Sequence, residues 1–200
     1  GILDLSFLNT VPKMNVIAPK NFEELEKMIE FAVNFDKPIA IRYPRGGEGK
    51  YQFSKCDEIV LGKAEMLREG SDVTIVAIGK MVSYAMEVAD ELQKKGIEAE
   101  VINARFVKPI DNETITGSLG KTKRLVTIED NVINCGLASS VKSVLEEAEE
   151  IRVLNVGYPD EFVKHGTVSD IEKKYGMDVQ SIVKRVCEFL CWKVGVPWNR

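Results

Sequence analysis

Runs of four to eight mostly apolar, β-branched residues alternate along this chain with stretches whose apolar residues recur at helical spacing. That alternation constrains the fold more than any single residue does. A strand, a crossover helix and a parallel strand must lie in one sheet with the helix against its face. "NVIAP" (Asn15–Pro19) and "PIAIRY" (Pro38–Tyr43) are two such runs. Between them Asn21 followed by Glu24 has the form of a capping box, and Leu25, Met28, Ile29, Ala32 and Val33 form an apolar helical stripe. This segment reads as a β-α-β unit with neighbouring parallel strands.

The pattern breaks at "GGEGKYQFSKCDEI" (Gly46–Ile59), where glycine and charge mark a connection between domains. It then resumes. "DVTIVAIG" (Asp72–Gly79) is a buried strand, and Val82, Ala85, Met86, Ala89 and Leu92 stripe the next helix, which Gly96 ends. "EAEVIN" (Glu98–Asn103), "RLVTIEDN" (Arg124–Asn131) and "IRVLNVG" (Ile151–Gly157) are further strands. Leu137, Val141, Val144, Leu145 and Ala148 stripe a helix behind a glycine-bearing loop. Thr167 with Asp170, and Asp178, read as caps of two closing helices. The expected class is α/β, with a mostly parallel, helix-covered sheet. The expected divisions are residues 1–50, a linker at 51–60, a domain at 61–190, and an irregular tail at 191–200 that holds Trp192 and Trp198.

Several function classes are excluded or disfavoured. A net charge of −4 with interspersed signs lacks the basic face of a nucleic-acid binder. No apolar run approaches the roughly 20 residues needed to span a bilayer. Cys56, Cys135, Cys187 and Cys191 are scattered and read as the reduced thiols of a cytoplasmic protein. Cys187 and Cys191 lie four apart on a helix, but no third ligand accompanies them, so they read as small helix-face hydrophobes. GxSxG, Walker, HExxH and metal-spaced Cys/His signatures are missing.

In open α/β sheets chemistry gathers at the carboxyl ends of strands, and three such ends carry polar residues. At "RYPRGG", Pro44 stops the strand and Gly46 and Gly47 let the chain depart, which leaves Arg45 at the rim of the sheet. Its guanidinium can fork onto a phosphate or carboxylate; the competing reading pairs both Arg42 and Arg45 with acidic neighbours. At "EDNVINCG", Glu129 and Asp130 disfavour a phosphate and read as a structural cap and interface pair. At "DEFVKHGT", His165, the single histidine, could exchange protons but has no visible partner, and reads as a loop or interface residue. Arg42 and His165 are therefore weak site candidates beside Arg45.

"GILDLSFLNTVPKMNVIAPKNFEELEKMI", "PIAIRYPRG", "VINARFVKPID", "VTIEDNVINCG" and "VGYPDEFVKHG" follow one another in an order and spacing that resembles the carboxyl-terminal portion of the 1-deoxy-D-xylulose-5-phosphate synthase family. These are transketolase-like, thiamine-diphosphate-dependent enzymes, and the resemblance covers about residues 1 to 190. "RFVKP(I/L)D" suits related transketolase-like chains as well, whereas "YPRG" and "PDEF" point to the synthases. The resemblance implies the last third of a pyrimidine-binding domain followed by a whole carboxyl-terminal domain. It implies a homodimeric transferase that uses thiamine diphosphate and Mg2+ to condense pyruvate with glyceraldehyde 3-phosphate, for isoprenoid, thiamine and pyridoxal synthesis. By motif Arg45 holds the substrate phosphate, while Arg42 is scaffold.

The family's GDG…N metal-diphosphate motif is absent from these residues. Its pyrimidine-domain glutamate and its "DGxTHxG" loop would lie before Gly1, which aligns with that loop's final glycine. The sequence therefore reads as part of a longer protein, without catalytic, cofactor or metal residues of its own, and inactive alone. Two other readings stay open: a stand-alone assembly or regulatory module, and the partner chain of a split enzyme. Because a domain without its first strands exposes sheet edges, the isolated chain is expected to self-associate or to order residues 1–50 poorly. It is also expected not to bind thiamine diphosphate; tight binding in calorimetry would overturn that expectation.

Overall fold

The computed structural model describes residues 1–145 and 150–191. A seven-residue helix, α1 (Asp4–Thr10), comes first and buries Leu5. It is followed by β1 (Asn15–Ile17), α2 (Phe22–Val33) and β2 (Ile39–Ile41), the β-α-β unit that the periodicity predicts. The two strands pair in parallel with Val16 opposite Ala40. The Asn21 side chain caps α2 by accepting from the Glu24 amide at 2.9 Å.

The inward face of α2 is not the apolar stripe expected from its sequence. Of Leu25, Met28, Ile29, Ala32 and Val33 only Met28 is buried; Ile29 is 48% and Val33 79% exposed. The helix instead turns Glu24, Met28 and Phe31 inward, residues spaced i, i+4, i+7. Glu24 is fully buried, and the Phe31 ring meets Phe106 edge-on at 6.2 Å. A carboxylate on the buried face hides that face from a hydrophobicity pattern.

Beyond an irregular segment at 49–60, β3 (Glu65–Arg68), β4 (Val73–Ala77), α3 (Met81–Gln93), β5 (Ala99–Asn103), β6 (Phe106–Lys108), α4 (Asn112–Thr122), β7 (Arg124–Val132), α5 (Leu137–Ser143), β8 (Arg152–Tyr158), α6 (Val168–Tyr175) and α7 (Val179–Cys191) follow. The main sheet runs β3-β5-β4-β7-β8. Its pairings are parallel except for β3 on β5. Val82, Ala85, Met86, Ala89 and Leu92 are buried along α3 as their spacing predicts. Gly96, at φ +76, closes that helix, with the Ile97 amide donating to the Leu92 carbonyl at 3.1 Å. Thr167 caps α6, and Asp178 accepts from the Ser181 amide at the start of α7.

Four elements carry no clear periodic signal: α1, β3, β6 and α4. The α4 sequence NETITGSLGKT is polar and holds two glycines. It nevertheless buries Ile115 and Leu119, and its Ser118 and Thr122 hydroxyls bond Thr74 of β4. Helix α5 ends at Ser143, so Val144 and Leu145 lie beyond it. Ala148, Trp192 and Trp198 lie outside the described residues.

Residues on both sides of the 51–60 segment share one core. β6 pairs antiparallel with β1 to give a second sheet, β2-β1-β6. Leu5, Val16 and Ala18 pack in one apolar cluster with Val76, Ile102, Leu125 and Leu137. A buried ionic network runs beside it. Glu24 accepts from Arg105 Nε at 2.8 Å, from Lys20 Nζ at 3.0 Å and from Asn103 Nδ2 at 3.0 Å. Glu65 accepts from Lys20 Nζ at 2.7 Å and from Asn103 at 3.0 Å, and lies 3.3 Å from Arg105 Nη2. Burial pulls the Lys20 ammonium down, but Glu24 and Glu65 outweigh it and hold its pKa above the ordinary lysine value.

Removing one member of a buried, balanced charge network strands the others. Glu24→Ala is expected to destabilise the fold by about 3–5 kcal/mol, measured by urea unfolding. A loss comparable to that of an exposed carboxylate would show that water reaches Lys20 and Arg105.

Candidate functional site

The carboxyl ends of β2, β4, β7 and β8 meet along one rim. At β2 the ladder extends by one bond, from the Arg42 amide to the Ile17 carbonyl at 2.8 Å. Pro44 then ends it, since proline has no amide hydrogen to give. The two arginines of this stretch part company here. The Arg42 side chain is 10% exposed. Its Nη2 donates to the Asp130 carboxylate at 3.0 Å and to the Asp130 carbonyl at 3.1 Å. Arg45 is exposed, and among the described residues no ion pair or hydrogen bond engages its guanidinium.

The turn that carries Arg45 is open at its tip and fastened beyond it. Gly46 has φ +138, a conformation that L side chains rarely adopt, and a Cβ on Gly46 or Gly47 would meet nothing within 4 Å. Farther on, the Glu48 carboxylate accepts from the Phe22 amide at the start of α2. Gly49 lies so close to Ser83 that a Cβ would fall 2.3 Å from the hydroxyl oxygen. The Tyr51 amide donates to the same hydroxyl at 3.1 Å. The result is a guanidinium held out at the rim without a protein anion, suited to receive a doubly charged oxyanion through two parallel bonds.

Behind it lies a charge cluster. Asp130, at the end of β7, takes Lys80 Nζ at 3.3 Å in addition to Arg42. Lys80, directly before α3, also pairs with Glu172 of α6 at 3.0 Å. The Tyr84 hydroxyl donates to Glu172 at 2.9 Å. Burial, followed by the Glu172 hydrogen bond, pushes the Tyr84 phenol well above its ordinary pKa. Burial and then the Asp130 and Glu172 charges do the same for Tyr158. Both phenols are donors, not bases.

Glu129, one residue before Asp130, caps α5. Its carboxylate accepts from the Leu137 amide at 2.7 Å and the Ala138 amide at 2.9 Å. A Cβ on Gly136 would fall 2.1 Å from Glu129 Oε2, so the glycine gives the carboxylate its room. The same strand end clamps α1. Asn131 accepts from the Leu5 amide at 3.1 Å, and Asn9 donates to the Cys135 carbonyl at 2.9 Å. The cap role expected of this strand end is the one that the Glu129 bonds describe.

His165 is exposed on the loop between β8 and α6. It lines a depression with Ile2, Leu3 and Phe162, separate from the one beneath the Arg45 turn lined by Tyr43, Pro44 and Lys80. The structure therefore gathers Arg42, Asp130, Lys80 and Glu172 but does not bring His165 to Arg45. Sequence reasoning missed the Arg42–Asp130 pairing. The partners are 88 residues apart, and only the topology joins them.

The acidic residues at the rim do not fit a magnesium–diphosphate. Glu129, Asp130 and Glu172 are each committed to protein donors. Among the described residues no group of three His, Cys, Asp or Glu could hold a metal. Among them, too, no helix is long and apolar enough to cross a membrane.

Comparison with known proteins agrees with this architecture. The family described as "Transketolase, C-terminal domain" matches residues 62–182. The chain is 42% identical over 189 residues to the 1-deoxy-D-xylulose-5-phosphate synthase of Caldanaerobacter subterraneus subsp. tengcongensis, covering 94% of this chain and 30% of that protein. It is 43% identical over 186 residues to the same enzyme of Heliobacterium modesticaldum, covering 92% and 29%. The chain thus spans less than a third of the length of these relatives. A solved structure described as "Split gene transketolase, inactive beta4 tetramer" superposes with a TM-score of 0.89 at 34% identity, covering 95% of this chain and 62% of that one.

The Glu129 cap carries a measurable pH dependence. Burial raises its pKa from 4.5 to about 7 and outweighs the two amides that favour the carboxylate. A carboxyl whose folded pKa is raised contributes stability that is fully present below about pH 4.5 and is lost as the pH rises to about 7. Relative to Glu129→Gln, the native chain is expected to lose up to about 3 kcal/mol across that window, read from urea midpoints. A pH-independent difference between the two proteins would overturn this.

Proposed function

The chain belongs to the transketolase C-terminal domain family, and its sequence matches the carboxyl-terminal region of the 1-deoxy-D-xylulose-5-phosphate synthases; from that premise we propose that it is the non-catalytic, substrate-anchoring component of such an enzyme. Residues 1–50 complete a pyrimidine-binding domain, 51–60 connect, and 61–190 form the carboxyl-terminal domain. The carbon–carbon bond chemistry, thiamine diphosphate and Mg2+ belong to residues outside these 200. The assembled, cytoplasmic enzyme joins pyruvate to glyceraldehyde 3-phosphate, and its product supplies isoprenoid, thiamine and pyridoxal synthesis.

Arg45 carries this reading. Its guanidinium is exposed, engages no acid among the described residues, and stands at a rim on a turn fastened beyond its tip. A phosphate forked onto it has its aldehyde end aimed, which turns a free encounter into an oriented one. Arg42 is scaffold, since its charge is already met by Asp130.

The likeness to a chain described as a split-gene transketolase puts a partner chain carrying the cofactor site beside the single homodimeric polypeptide as an arrangement to test. Affinity capture of the tagged chain from its source cells is expected to bring down a polypeptide with a GDG motif. Capture of nothing but longer forms of the same chain would support the single polypeptide.

The anchor itself is tested in the active enzyme. Arg45→Ala is expected to lower kcat/KM for glyceraldehyde 3-phosphate by about tenfold to a hundredfold. An unchanged kcat/KM would remove the role.

A further inference from the structure

We propose that Asp130, a residue of the carboxyl-terminal sheet, is the positioning residue for the Arg45 turn, setting through Arg42 where the Arg45 guanidinium meets the substrate phosphate. The inference rests on the phosphate-anchor reading of Arg45 and adds a specificity role to the carboxyl-terminal sheet.

Only Tyr43 and Pro44 separate Arg42 from Arg45. The proline ring fixes its own φ, and its bulk holds the preceding Tyr43 in extended backbone. This dipeptide is a stiff lever, so a displacement of Arg42 is passed to Arg45 and not absorbed on the way. On the other side of Arg45 stand Gly46 and Gly47, with open space around them. The fastenings at Glu48, Gly49 and Tyr51 lie beyond those glycines and are decoupled from Arg45 by them. The position of Arg45 is therefore set from the Arg42 side.

Arg42 is set by Asp130. One guanidinium nitrogen bonds both the carboxylate and the main-chain carbonyl of that residue, at 3.0 and 3.1 Å. Two acceptors on one residue fix direction as well as distance. The pair is shielded, with side chains 10% and 12% exposed, so salt and water compete weakly for it. The other acid near Arg42, Asp4, lies 3.9 Å from Nε and is much more exposed. Asp130 is in turn held from other elements, by Lys80 at 3.3 Å with Glu172 behind it, and faces Tyr158 of β8. Arg42 and Lys80 balance Asp130 and Glu172, so the cluster keeps its charges without recruiting the phosphate itself. Asp130 acts on Arg45 through a pair of charges and a proline.

The test compares glyceraldehyde 3-phosphate with unphosphorylated D-glyceraldehyde as acceptor in the active enzyme, the chain together with the polypeptide that supplies the cofactor site. The readout is the ratio of their kcat/KM values, which a general loss of stability or of catalytic power does not move. Asp130→Asn is expected to lower this ratio about tenfold, mainly through KM for the phosphorylated acceptor. Arg42→Gln is expected to do the same, and the double variant no more than either, because both changes abolish one ion pair. If Arg45→Ala lowers the ratio but Asp130→Asn leaves it unchanged, Asp130 has no positioning role and the Arg45 reading stands alone. If Arg45→Ala also leaves the ratio unchanged, the anchor reading fails and this inference falls with it. Should Asp130→Asn not fold, Arg42→Gln breaks the same pair from the other side and is held to the same outcomes.

Discussion

Glu24 is fully buried, and donors from two separated stretches of chain converge on it: Lys20 on one side, Asn103 and Arg105 on the other. An isolated carboxylate in that position would cost several kcal/mol, so each partner must be in place for the others to be tolerable. Much of the architecture follows from that requirement. Lys20 ends the segment after β1, Glu65 opens β3, and Asn103 and Arg105 flank the crossing from β5 to β6. Bringing them together lays β6 antiparallel on β1 and turns α2 so that Glu24 points inward. The thiol of Cys56, 3.6 Å from an Arg105 nitrogen, ties the irregular connection to the same point.

The rim at the strand ends obeys the same electrostatic logic with a different outcome. Arg42 and Arg45 leave the same strand, yet one is shielded and paired while the other is exposed and engages no acid among the described residues. The difference is register. Arg42 still takes part in the β2 ladder, through its bond to Ile17, and its side chain reaches the neighbouring strand end. Arg45 comes after Pro44, where the ladder has stopped. A cation that is paired holds structure, and one that engages no acid can hold a ligand. The same two residue types at a spacing of three thus serve two purposes.

Much of this was readable in the sequence. The α3 stripe, the Gly96 stop, the caps at Asn21, Thr167 and Asp178 and the parallel core strands all follow from local rules. What escaped did so for identifiable reasons. Helix α4 is polar and glycine-bearing because its buried side uses hydroxyls to bond Thr74, which hydropathy cannot see. β6 is three residues long and has meaning only as a partner of β1. The inward face of α2 was misjudged because a buried charge, Glu24, is part of it.

The alternating α/β plan and the placement of Arg45 at a strand terminus rest on neighbours within one turn or one strand, and the family is legible in motifs ordered along the chain. Folding alone assigned Arg42 to Asp130 and Glu24 to Arg105, and set His165 apart from Arg45. Those pairings join residues up to 88 positions apart. A carboxylate carries no mark of the cation it will meet until folding removes the water between them.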